Sequence, residues 1–148
     1  MPIRVPLLPR WLRWSAVLFV ALAIFYLSIV TVPPPDPVVP KPGPDDLLPL
    51  DKWRHFLAYA TLAGALAYAT ADWSWPRWHL VVAVVGATAL YGIGIEAGQA
   101  FLPDRYFSLG DAWANVFGAL LVLPWYAVRP HLAMTPLGDW LGRNRSSP

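Results

Sequence analysis

The chain has 148 residues, of which 57% are hydrophobic and 14% charged, and its mean hydropathy is +0.45. This composition is too apolar for an ordinary soluble domain and predicts an integral membrane protein. The chain contains no cysteine, which excludes disulfides, thiolate metal sites and cysteine nucleophiles within it. Its net charge of +2 is too small to indicate nucleic-acid binding.

The first predicted element is a transmembrane helix at residues 14–32, an uncharged run that follows Arg4, Arg10 and Arg13. Its length is close to the roughly 20 residues needed to cross hydrocarbon. The alternative is a cleaved signal peptide, but the apolar run exceeds the roughly 7 to 15 residues of such a segment and no small-x-small cleavage site follows it. We therefore expect residues 1–13 to be a basic N-terminus and the first helix to remain in the membrane.

A proline-rich connector is predicted at residues 33–50. Proline lacks the amide donor and keeps the preceding residue out of the α region, so this segment is neither a helix nor a central strand. A ligand for a partner domain is one use of such a composition, but a semi-rigid spacer is the commoner one. We expect an extended loop.

Three further transmembrane helices are predicted at about residues 54–72, 78–98 and 111–128, which complete an all-α membrane bundle of four helices. Small residues recur every four positions in them, which favours close helix packing in lipid. They are Ala60 with Gly64, Ala63 with Ala67, Gly94 with Gly98, and the series Gly110, Ala114 and Gly118. Pro124 predicts a kink in the last helix.

Orientation follows from the distribution of Lys and Arg between the two sides of an alternating four-helix bundle. Seven arginines fall on the side of the termini, and four cations, Lys41, Lys52, Arg54 and Arg105, fall on the other. We therefore expect both termini in the cytoplasm and the proline-rich loop outside. The tail at 129–148 is expected to be loose or a short interfacial segment on the cytoplasmic side.

The outer side collects the polar residues of three separate stretches, namely the start of the second helix, the end of the third and the start of the fourth. Polar residues within a membrane segment are costly and usually functional. The candidate ligand-binding residues are Asp51, Lys52, His55, Tyr59, Glu96, Gln99, Arg105, Ser108, Asp111 and Asn115. Spacings of three and four within each stretch put these side chains on shared helix faces.

Each candidate also has a purely structural explanation. Asp51 can cap its helix, and Ser108 with Asp111 has the S-x-x-[DE] form of a helix start, so capping is favoured over catalysis for Ser108. Lys52 and Arg54 can simply extend their charged ends to the interface. Glu96 can form an ion pair with Lys52 or Arg105 that locks helices together. A metal held by His55, Glu96 and Asp111 is geometrically possible, but carboxylates among cations usually pair with those cations, so no metal or other cofactor is expected.

Three segments, DKWRHFLAY, EAGQAFLPDR and SLGDAWANVFGA, resemble the signature segments of the VanZ-like family of small polytopic membrane proteins. The resemblance covers roughly residues 12 to 128. The polar signature of that family corresponds to all ten candidate residues above together with Gly118. The resemblance implies a cell-envelope protein, and the named member of the family is associated with resistance to the glycopeptide teicoplanin. No settled biochemical activity comes with the resemblance.

Three functions are consistent with this pattern. The first is a non-enzymatic envelope protein that binds a polar or anionic lipid headgroup or envelope precursor at the outer leaflet. The second is a membrane-embedded hydrolase or transferase in which Glu96, His55 or Asp111 acts catalytically, although no nucleophile elbow, HExxH motif or P-loop supports it. The third is a structural role in which the protein acts through partners. We favour the first, with membrane lipid as the expected partner; the sequence does not identify protein partners.

Overall fold

The computed structural model describes residues 3–31, 50–102 and 108–144, and of Leu50, Asp51, Arg143 and Asn144 it describes only the backbone. Two predictions concern residues outside these ranges. Apart from Leu50, the proline-rich loop lies outside the described residues. Arg105 lies outside them as well.

The described chain is mostly helical, as predicted, and its longer helices follow the uncharged runs of the sequence. The helices are α1 (Arg10–Phe25), α2 (Leu50–Ala69), α3 (Arg77–Gln99), α4 (Leu109–Leu120), α5 (Leu123–Val128) and α6 (Leu137–Asn144). A π-helical segment, Tyr26–Val30, continues α1, and one 3-10 turn, Arg129–His131, continues α5. The first helix begins four residues before the predicted start at residue 14, so it includes Arg10 and Arg13.

Three segments of the described chain are long and apolar enough to cross a membrane: Arg10–Val30, Arg77–Gln99 and Leu109–His131. They correspond to the first, third and fourth predicted spans. The helix α2 is not among them, because Lys52, Arg54 and His55 make its first turns polar. A fourth span through α2 therefore remains a prediction.

The last span is interrupted where the sequence predicts a kink. The helix α4 ends at Leu120, and α5 begins at Leu123 with Pro124 in its first turn. Proline at position 124 has no amide hydrogen to donate to the carbonyl of Leu120, and its ring crowds that carbonyl. The break thus follows from one residue.

The structure differs from the all-α expectation by one small parallel sheet. Strand β1 (Ile3–Leu7) pairs with β2 (Leu132–Pro136) in the register Ile3 to Leu132 through Leu7 to Pro136. Both strands are edges, so the prolines within them are tolerated. The tail after residue 129, expected to be loose or interfacial, is a strand followed by α6. Tyr68 holds β1 against α2, since its hydroxyl donates to the Pro6 carbonyl (2.9 Å) and accepts from the Leu8 amide (3.0 Å).

The end of the molecule that carries this sheet, here called the sheet end, is held by an ion-pair network. Arg13 is 2% exposed and donates to both carboxylate oxygens of Asp72 (3.0 and 2.9 Å) and to the Ala69 carbonyl (2.8 Å). Arg10 donates to Asp72 from the solvent side (2.9 Å). The hydrogen bonds from Arg13, followed by those from Arg10, hold the pKa of Asp72 well below its usual range. Arg13 therefore joins α1 to the end of α2. The sequence had placed it in a basic N-terminus before the first helix.

The small residues of α4 bring it close to α2. A Cβ placed on Gly118 would collide with the Phe56 carbonyl oxygen and would lie 3.1 Å from the Ala60 amide nitrogen. Ala63, Ala67 and Ala119 are buried in the same core. Gly64 and Gly94, by contrast, have open space where a Cβ would lie, so the Ala60–Gly64 and Gly94–Gly98 repeats are only partly used for packing.

Candidate functional site

The polar residues of three helices meet at the end of the bundle opposite the sheet. This group, here called the polar cluster, consists of Lys52, His55 and Tyr59 from α2, Glu96 from α3, Ser108 before α4, and Asp111 and Asn115 within α4. It forms because α2 runs antiparallel to α3 and parallel to α4, so its first turns lie beside the end of α3 and the start of α4. Seven of the ten predicted residues are thereby close together.

The exposed rim of the polar cluster is an ion pair between α2 and α4. The ammonium of Lys52 donates to Asp111 Oδ1, and the two side chains are 24% and 17% exposed. Gly110 leaves room for the lysine stem, because a Cβ there would lie 3.2 Å from Lys52 Cε. Lys52 is thus partnered with Asp111, whereas the sequence suggested Glu96 as its partner.

Ser108 caps α4, as the sequence predicted. Its hydroxyl accepts from the Asp111 amide at 3.2 Å, and its backbone is extended, as is usual for the residue before a helix. The Ser108 amide in turn points to Glu96 Oε2 at 3.4 Å. This residue therefore contacts both Asp111 and Glu96.

Glu96 lies fully buried at the centre of the polar cluster, with 0% of its surface exposed. His55 Nδ1 is 3.7 Å from Glu96 Oε1 and 3.1 Å from Asn115 Oδ1, and His55 Nε2 is 4.0 Å from Asp111 Oδ1. The sequence suggested Lys52 or Arg105 as the partner of Glu96; Arg105 lies outside the described residues, and His55 is the basic residue that approaches Glu96 among those described. Since an amide oxygen only accepts, the contact with Asn115 Oδ1 is a hydrogen bond when His55 Nδ1 carries the proton.

Beneath Glu96, two buried side chains pack around a glycine that the sequence reasoning missed. A Cβ on Gly92 would lie 2.9 Å from Tyr59 Cε1 and 3.0 Å from Asn115 Cβ. Tyr59 and Asn115 are each 1% exposed. Gly92 and Thr88 lie four and eight residues before Glu96, so they share its face of the helix. That spacing is the sequence signal that identifies them.

Several polar atoms in and beneath the polar cluster have no hydrogen-bond partner among the described residues. They are Glu96 Oε1, Asn115 Nδ2, Tyr59 Oη and Thr88 Oγ1. One is an acceptor, one is a donor and two are hydroxyls that do both. Buried polar atoms without partners are costly, so a group of this kind is a candidate site for a polar ligand.

Gln99 does not face the polar cluster as the sequence suggested. Its side chain is 7% exposed and its Nε2 donates to the Ser28 carbonyl at 3.0 Å. Ser28 lies in the π-helical end of the first span, where the last carbonyls have no partner within the helix. Gln99 thus links α3 to the first span.

His55, Glu96 and Asp111 each offer one ligand atom, and the three atoms lie within 4.8 Å of one another. This is a set that zinc or another divalent metal accepts. The Lys52 ammonium already contacts the Asp111 carboxylate and supplies positive charge there, so a metal would compete with it.

Two other predicted site residues are not fully described. The structure describes only the backbone of Asp51, which belongs to α2, and Arg105 lies outside the described residues.

Comparison of the chain with family models, curated proteins and solved structures gives no match in any of the three.

Proposed function

We propose that this chain is a multi-pass protein of the cell membrane whose polar cluster binds a polar or anionic headgroup of a lipid or envelope precursor. The observation that carries the proposal is the combination of a partly exposed Lys52–Asp111 rim with the unpartnered atoms of Glu96, Asn115 and Tyr59 beneath it. The resemblance to the VanZ-like family belongs to the same proposal, and so does a link to glycopeptide resistance. Growth in teicoplanin with and without the chain tests that link.

The chemistry of the polar cluster matches a headgroup that has both an anion and hydroxyl or amine groups. Lys52 and His55, each about one quarter exposed, are the cationic or donor groups at the rim. Glu96 Oε1 is an acceptor, Asn115 Nδ2 is a donor, and Tyr59 Oη can both donate and accept. A few well-placed polar groups surrounded by apolar side chains are typical of small-ligand sites.

The proposed orientation places the polar cluster at the outer leaflet and both termini in the cytoplasm. It rests on the excess of arginine at the sheet end and on a fourth span through α2. Single cysteines introduced at Leu109 and at Leu137 test it, since the chain has no native cysteine. An impermeant thiol reagent added outside intact cells is expected to label the first and not the second.

The headgroup proposal is tested by photolabelling in proteoliposomes. The probe is phosphatidylglycerol with a photoactivatable group on its headgroup, and the labelled peptides are identified by mass spectrometry. We expect labelling of peptides that contain residues 50–60 and 108–116. Lys52→Ala is expected to reduce that labelling about fivefold, because a cation near a lipid phosphate contributes about 1 kcal/mol.

The matched control is Arg54→Ala. Arg54 lies two residues from Lys52 on the same helix, it is exposed, and it has no ion pair among the described residues. Its removal changes the net charge equally but leaves the rim intact, so labelling is expected to stay at the wild-type level. Equal labelling of wild type and Lys52→Ala, or equal losses in the two variants, would contradict the proposal.

One observation favours a second candidate, a membrane-embedded hydrolase or transferase. The His55 ring lies between Glu96 Oε1 (3.7 Å) and Asp111 Oδ1 (4.0 Å), where it can exchange a proton with either carboxylate. Glu96 or His55 would then act as the general base and Asp111 would hold the imidazolium. Full function of Glu96→Gln in cells would rule out this role.

A further inference from the structure

A pocket of about 220 Å³ opens at the sheet end, far along the helices from the polar cluster. The α2–α3 turn, the start of α3 and the end of α5 form its walls. Among the residues that line it are Trp73, Trp75, Arg77, Trp125 and Arg129. Its volume is below the roughly 300–1,000 Å³ of sites for drug-sized ligands, so it is suited to a headgroup-sized group.

The two arginines of this pocket have no carboxylate partner within the part of the chain that the structure describes. The nearby carboxylate, Asp72, is held by Arg10 and Arg13 on the other side of the turn. Arg129 donates to the Ala71 carbonyl (2.6 Å) and the Leu132 carbonyl (3.3 Å), which position its guanidinium but leave its charge uncompensated. Arg77 is exposed at the first position of α3. The pocket therefore has an excess of positive charge.

One further feature of the pocket favours an anion. The helix α3 begins beside the pocket after Pro76, with no side chain capping its first amides. Free amides and the helix dipole at such an end attract negative charge.

The aromatic surroundings indicate that the anion belongs to a lipid. Trp75 and Trp78 are 52% and 63% exposed beside the pocket, and Trp73 contacts both Trp14 and Trp75. Exposed tryptophans at the ends of membrane helices lie at the level of the lipid headgroups. Basic pockets between such helices accommodate anionic headgroups. We propose that this pocket binds the phosphate of an anionic phospholipid in the leaflet at the sheet end, with Arg77 and Arg129 as its ligands.

Lipid retention by the full-length chain tests the proposal. The protein is purified in detergent, incubated with phosphatidylglycerol or with phosphatidylcholine of the same acyl chains, and examined by native mass spectrometry. We expect phosphatidylglycerol to bind more tightly than phosphatidylcholine. Arg77→Gln is expected to weaken phosphatidylglycerol binding about fivefold, which is the effect of one cation near a lipid phosphate.

Arg4→Gln is the matched control, since Arg4 is an exposed arginine of the sheet end that does not line the pocket. It is expected to bind phosphatidylglycerol as the wild type does. Equal binding of the two lipids, or equal effects of Arg77→Gln and Arg4→Gln, would overturn the proposal. Soluble glycerol phosphate is expected not to displace the lipid, and displacement by it at concentrations below those of the lipid would show a site for a soluble phosphate instead. Lys52→Ala leaves this pocket intact, so the result is independent of the polar cluster.

Discussion

Asp72 is the residue that ties the start of the first helix to the end of the second. Its carboxylate accepts from Arg13 on the buried side and from Arg10 on the exposed side. Arg13 is almost fully buried, and removing its carboxylate partner would leave a buried cation bound only to the Tyr68 and Ala69 carbonyls. A buried charge without its partner is strongly destabilising. The Asp72 carboxylate thus stabilises the junction of α1 and α2.

This contact predicts a pH dependence of stability. The pKa of Asp72 is lower in the folded protein than its ordinary value of about 3.9, so its contribution is fully present above that value and is lost as the pH falls below it. Asp72→Asn is expected to reduce the free energy of unfolding at pH 7 by about 2 kcal/mol, which is typical of hydrogen bonds to a charged group.

Thermal melts in detergent between pH 7 and pH 3 test this expectation. The melting temperatures of wild type and Asp72→Asn should differ at pH 7 and converge as the pH falls below about 4. Asp139→Asn, which removes an exposed carboxylate on α6, serves as the control for the loss of one negative charge. A constant difference in melting temperature between wild type and Asp72→Asn from pH 7 to pH 3 would mean that the charge of the Asp72 carboxylate does not stabilise the junction of α1 and α2.

At the scale of elements, the packing of α2 against α4 determines the geometry of the polar cluster. Gly118 lies against the backbone of α2 at Phe56 and Ala60, two turns below Asp111. Because no side chain separates the helices there, Lys52 can reach Asp111 and His55 can reach Asn115. A small residue at this position is therefore required for the polar cluster as well as for packing.

Gly118→Ala is expected to destabilise the protein by about 1–3 kcal/mol, since the added methyl group collides with backbone atoms that cannot rotate away. The matched control is Gly64→Ala on α2, where a Cβ meets open space. Alanine is the better helix former, so that control should be neutral or slightly stabilising. Urea or thermal unfolding in detergent measures both variants. Similar effects of the two substitutions would show that Gly118 is not at a close contact.

For the molecule as a whole, the features that could be predicted from the sequence were those set by patterns of neighbouring residues. The uncharged runs located the helices, and the spacing of Ser108 and Asp111 identified a cap that the structure confirms. The pairing of β1 with β2 joins residues more than a hundred positions apart in strands that contain proline, so no local pattern indicates it. The hydrogen-bond partners of individual side chains could not be predicted either. Gln99 faces Ser28 because of how α3 packs on the first span, which helical spacing alone does not specify.

The two ends of the molecule differ in chemistry. The sheet end has an excess of arginine, a buried Arg13–Asp72 pair and an aromatic pocket, whereas the opposite end holds carboxylates, a lysine and a histidine in one connected group. The first arrangement is suited to anchoring the chain and to holding an anionic lipid. The second has unpartnered buried atoms, which anchoring does not explain. We therefore regard the polar cluster as a site for a ligand and not only as a link between helices.

The most direct test of this claim is Glu96→Gln, which keeps the size of the side chain and replaces its carboxyl group with an amide. We expect headgroup photolabelling of the peptides at 50–60 and 108–116 to fall about fivefold, because the substitution replaces a carboxyl oxygen with an NH₂ group that only donates, while the melting temperature stays near that of wild type. Thr61→Val, which removes an exposed hydroxyl of α2 that donates to the Leu57 carbonyl and is not part of the polar cluster, should leave labelling unchanged. Full labelling by Glu96→Gln, or a loss of labelling that only follows a loss of thermal stability, would contradict the account and favour a purely structural role.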